Sequence, residues 1–208
     1  QSRDAQKNKS LSLEKIIFAV LLCLSSLWLG AQTQVTYKLT YDLNTQTYTV
    51  SMRSNTAYNP PLSRFTSSTQ ITIVAPHVAG KWQVSNLTGL INTTVPLGWD
   101  LTTLDGTTVG QTHDYIFFSP GNSGGYTPFP IPANTDLNLF SFKSGSGCVG
   151  DLYLYDNVND PLNSVPSINA DNNMVILGAG AGNKYIGNTS GNISCTPPCA
   201  ANAGTLSN

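Results

Sequence analysis

Val35-Thr36-Tyr37-Lys38-Leu39-Thr40-Tyr41-Asp42 decides the fold class of this 208-residue chain. Apolar Val35, Tyr37, Leu39 and Tyr41 alternate with polar Thr36, Lys38 and Thr40, the period of two that gives a strand one oily face and one wet face. Asp42-Leu43-Asn44-Thr45-Gln46 supplies a turn, and Tyr48, Val50 and Met52 resume the alternation on the return. The pattern predicts a β-hairpin.

Working outward, Ile71–Val74 ends at Ala75-Pro76 and predicts a third strand after the Asn59-Pro60-Pro61 loop. Further strands are expected at Trp82–Leu87, Tyr115–Phe118, Leu137–Phe142, Leu152–Tyr155 and Met174–Leu177, most of them separated by Gly, Pro, Asn or Asp. Eight to ten short strands with turn signals at this spacing indicate an all-β domain, a β-sandwich of Ig-like or jelly-roll type, over about residues 34–193. Nothing after residue 31 carries a helical period of useful length.

Upstream, Lys7, Lys9 and Lys15 precede an apolar run from Ile16 to Leu29 that closes on Gly30-Ala31. A basic stretch, an apolar stretch and small residues describe a secretory signal peptide over residues 1–31, helical in its apolar part and cleaved after Ala31. At 1.5 Å per residue the run spans about 21 Å, short of the roughly 30 Å hydrocarbon core of a bilayer, so no membrane span is expected once it is removed. Downstream, Cys195-Thr196-Pro197-Pro198-Cys199 reads as a stiff linker, and residues 194–208 as that linker plus the start of a further module in a longer protein.

Charge is sparse: from Gln32 onward six basic residues face nine aspartates and no glutamate, leaving the domain near −3. That balance offers no electrostatic footprint for nucleic acid. With Cys23 lost in the leader, Cys148, Cys195 and Cys199 remain, and an oxidising compartment favours pairing. A Cys148–Cys195 disulfide would leave Cys199 for a cysteine beyond residue 208; a Cys195–Cys199 bridge is the rival.

Several stretches invite a chemical reading. Gly121-Asn122-Ser123-Gly124-Gly125 matches the G-x-S-x-G pattern with His113-Asp114 upstream, but Pro128 and Pro130 forbid the helix that a nucleophile elbow requires. Gly178–Lys184 lacks the glycine that a dinucleotide or phosphate loop needs at Asn183, and reads as a turn before the final strand. Asp151, Asp156, Asn159 and Asp160 concentrate oxygen ligands and make calcium the one candidate cofactor. Trp99 and Tyr126 are the aromatics expected to be exposed, as a stacking surface for sugar rings.

The strand segment at Val35–Asp42, Gln70-Ile-Thr-Ile-Val-Ala-Pro76, Leu139-Phe-Ser-Phe-Lys143 before Gly147-Cys148, and Cys195…Cys199-Ala-Ala-Asn-Ala-Gly-Thr-Leu206 together resemble the amino-terminal region of large, adhesin-like surface proteins of Bacteroidetes, often exported by the type IX route. The strand-rich domain also resembles cohesin-like sandwiches. The resemblance implies a non-catalytic, secreted or cell-surface role, with an extracellular protein or glycan as partner. A carbohydrate-binding module attached to a downstream hydrolase is the alternative.

Overall fold

A computed structural model describes residues 32–91, 97–121 and 127–196. The chain divides into Gln1–Gln32 and Thr33–Asn208, and the fold below is that of the second unit. The signal-peptide segment, Cys199 and Tyr126 lie outside the described residues.

Nine strands follow in order: β1 (Val35–Asp42), β2 (Thr47–Ser54), β3 (Ile71–Pro76), β4 (Val84–Gly89), β5 (Trp99–Leu104), β6 (His113–Pro120), β7 (Asp136–Ser144), β8 (Tyr153–Leu154) and β9 (Tyr185–Asn188). They form two sheets, ordered β4-β7-β2-β1-β9 and β5-β6-β3-β8. The domain is an all-β sandwich, as the alternation predicts. Among the described residues no helix is long and apolar enough to cross a membrane.

The β1–β2 hairpin pairs Val35 with Ser54 through to Asp42 with Thr47, so Tyr37 faces Met52 and Leu39 faces Val50 on the inner side. Val35, Tyr37, Leu39, Val50 and Met52 are all buried there. Opposite them β3 and β6 place Ile71 beside Phe118 and Ile73 beside Ile116. A bulge in the β2–β7 ladder after Val50 turns both Leu139 and Phe140 into the interior. Each such side chain contributes about 1.5–3 kcal/mol by leaving water.

Ile71 to Ala75 is buried without alternation, because its sheet is covered on both faces. The outer cover is the segment from 156 to 172, which drops Leu162 and Ala170 onto Val74, Tyr115 and Tyr155 to make a second, smaller core. Asn172 anchors this segment: its Oδ1 accepts from Thr72 N at 2.7 Å and its Nδ2 donates to Tyr155 O at 2.8 Å.

One expected strand is absent, and one strand was not expected. In place of a strand at Met174–Leu177 there are two isolated bridges, Asn173 to Gln70 and Ile176 to Phe65, and then a 3-10 turn over Leu177–Ala179. Trp99–Leu104 is a full strand along the edge of the smaller sheet, paired with β6. The parallel partner of β1 is β9, which returns the chain to the hairpin after residue 184. Beyond it a disulfide joins Cys148 to Cys195 with Cα atoms 5.6 Å apart, holding the chain after β9 against the loop after β7.

Candidate functional site

The strand order leaves β8 and β9 at the ends of their sheets, on the same side of the sandwich. Between them lies a groove of about 500 Å³. Tyr153 and Leu154 line it from β8, Tyr185 to Asn188 from β9, and Asp156 to Val158 with Ser190 to Asn192 close its ends.

Its polar side chains are held by their neighbours. Asn188 Nδ2 donates to Leu154 O at 3.2 Å and Tyr155 O at 2.9 Å, stitching one sheet edge to the other. Asn188 Oδ1 accepts from the Tyr185 hydroxyl at 2.8 Å, and the Tyr185 ring rests on Tyr37 with centroids 4.9 Å apart. Ser190 Oγ accepts from Leu39 N at 2.9 Å, which fixes the far wall to β1. Burial pushes the Tyr185 and Tyr153 hydroxyls above the usual phenol range, so both stay neutral.

Asp156 is the acidic residue of the lining. Its Oδ2 accepts from Asn159 Nδ2 at 2.8 Å, and its Oδ1 accepts from Val158 N at 2.8 Å and Asn159 N at 3.2 Å. These bonds, the Asn159 side chain first, hold the carboxyl below the ordinary value, so it is ionised at neutral pH.

The four residues expected to bind calcium are spread over separate tasks. Asp156 and Asn159 form the turn just described. Asp160 is buried, with Oδ1 accepting from the Tyr115 hydroxyl at 3.0 Å and Leu162 N at 2.9 Å. Asp151 is exposed just ahead of β8. The three aspartates do not converge: among the described residues the His, Cys, Asp and Glu side chains that gather three ligand atoms within 4.8 Å are His77, Asp105 and Asp114.

That cluster is a structural clasp. Asp114 is 0% exposed and accepts from Trp82 N at 2.7 Å, Gly106 N at 3.2 Å, Val78 N at 3.4 Å and His77 Nδ1 at 2.8 Å, which occupies both of its oxygens. Asp105 spends Oδ1 on Thr107 N and Thr107 Oγ1. His77 is held above its ordinary value, chiefly by the hydrogen bond to Asp114. The His113-Asp114 pair that accompanied the glycine loop does not act together: His113 Nδ1 meets Thr112 Oγ1 and its ring packs on Tyr153.

Trp99 corrects the sequence expectation of an exposed stacking ring. It is only 8% exposed, and its ring lies 4.5 Å from Phe140 and 6.4 Å from Phe65 between centroids. Trp99 pairs with Pro120 on the inward side of β5, while Asp100 takes the exposed position. The groove tyrosines, Tyr153 and Tyr185, escaped the sequence reading as a pair. They are 32 positions apart and meet only through the tertiary arrangement of the sheet ends. No family model matches the chain, and no curated protein is significantly similar to it.

Proposed function

We propose that the chain is a non-catalytic, exported binding module of a larger surface protein, serving adhesion or structure outside the cytoplasm. The observation that carries the reading is the groove between β8 and β9. Tyr185 and Asn188 are fixed by their bond to each other and by the bonds of Asn188 to the Leu154 and Tyr155 carbonyls before any ligand arrives, the arrangement that keeps the entropic cost of recognition low. Asp156, held ionised by its own turn, is tuned away from the near-neutral pKa that a general acid or base needs. The Cys148–Cys195 bond and the leader-like segment support an exterior location. The resemblance to adhesin-like Bacteroidetes proteins and cohesin-like sandwiches agrees with this role.

The test is to present the purified, disulfide-bonded chain to immobilised extracellular polymers, bacterial envelopes and a panel of hydrolase substrates. Saturable adhesion without turnover is expected. Turnover that persists through purification and falls on a single substitution in the groove would overturn the reading.

A further inference from the structure

The groove joins two kinds of surface that one ligand class matches. Tyr153, Tyr185, Val158 and Ile186 give it apolar area, and the last two are 81% and 59% exposed. Asp156 and Asn192 give it a carboxylate and an amide, while the Asn157 and Asn188 side chains are bonded within the domain. A sugar ring has apolar C–H faces and a rim of hydroxyls that both donate and accept. Aromatic rings cover the former, and amides and carboxylates satisfy the latter. The volume, about 500 Å³, falls inside the roughly 300–1,000 Å³ of small-ligand clefts.

Charge narrows the class. The lining carries Asp156 and neither Lys nor Arg, so uronic, sialic and phosphorylated sugars meet a like charge with nothing to offset it. An extended peptide would pair with the edge backbone of β8 and β9, but Tyr185 N is already bonded to Asn183 Oδ1 at 2.9 Å and Leu154 O to Asn188 Nδ2 at 3.2 Å.

We propose that this groove binds a neutral oligosaccharide, with the rings of Tyr153 and Tyr185 against the sugar faces and Asp156 and Asn192 on the hydroxyls. The inference rests on the reading of the chain as a non-catalytic binding module, and names the ligand of that module. It places the contact away from Trp99, whose ring is committed to the core.

The experiment uses the full chain with its disulfide intact, on an array of neutral β-glucan, xylan and mannan oligosaccharides beside uronic and sialylated ones. A blocking variant, Gly191→Trp, is available because a Cβ built at Gly191 meets no atom within 4 Å. Neutral glycans are expected to be retained, with affinity reduced at least about tenfold in Gly191→Trp and about three- to tenfold in Tyr153→Ala. Circular dichroism and melting of both variants should match the parent. Retention of acidic glycans alone, retention indifferent to both variants, or a silent array each overturns the proposal. So does selection of peptides, and not glycans, from a library in a manner that Gly191→Trp abolishes. A silent array beside intact adhesion to envelopes sinks the glycan and leaves the module standing, whereas shortened glycans on product chromatography sink the module itself.

Discussion

Asp114→Ala removes the carboxylate on which the loops at one end of the sandwich converge. In the native chain it is fully buried and accepts from the backbone of Trp82, Gly106 and Val78 and from His77. Hydrogen bonds to a charged group are worth roughly 1.5–3 kcal/mol each, and each buried donor left unsatisfied costs about 1–3 kcal/mol. The Trp82 and Gly106 bonds are buried and the other two reach toward solvent, so water replaces part of the loss and the total comes to about 3–5 kcal/mol, the range for breaking a buried charged pair. Asp114→Asn keeps one acceptor but turns an amide donor toward other donors, and should fall between parent and Ala. Urea unfolding of the oxidised full chain at pH 7 gives the measurement. A cost below about 1 kcal/mol for Asp114→Ala, at unchanged slope, would refute the clasp.

Three further outcomes follow from the same geometry. Replacing Cys148 and Cys195 together by Ser opens a link across 47 residues, whose closure entropy is worth about 4 kcal/mol on the chain-entropy estimate, read as a lowered urea midpoint. His77 is raised from its ordinary 6.5, so the stability it contributes is complete below that pH and fades as pH climbs through the raised value; His77→Gln should flatten the stability profile in that window. Trp99→Ala should cost about 3–5 kcal/mol of stability, the price of a large buried ring, and an unchanged melting temperature would put Trp99 back on the surface.

The sequence carried the hairpin because its register follows directly from alternation: Tyr37 and Met52 share a face by parity alone. Ile71 to Val74 was legible as a strand from its apolar Ile71, Ile73 and Val74 and from the Ala75-Pro76 that closes it, although the buried Thr72 breaks the run. Trp99–Leu104 was not, since Trp-Asp-Leu-Thr-Thr-Leu runs along a sheet edge where Leu101 is left 40% exposed and the period is blurred. Met174 and Ile176 imitate a strand because both point into the core, yet the backbone there makes only isolated bridges, Asn173 with Gln70 and Ile176 with Phe65. The groove was invisible for a topological reason. Its walls, Tyr153 and Tyr185, come together only once β9 has run parallel to β1 and Asn188 has reached across to Leu154. His77 and Asp114, 37 positions apart, meet in the same way.

The proposed export and the Cys148–Cys195 bond are tested most directly by mass spectrometry of the full chain made in a Gram-negative host. The account predicts product outside the cytoplasm that begins at Gln32 and yields, on non-reducing digestion, peptides joined through Cys148 and Cys195. Product kept inside with residues 1–31 attached and both thiols free would contradict it.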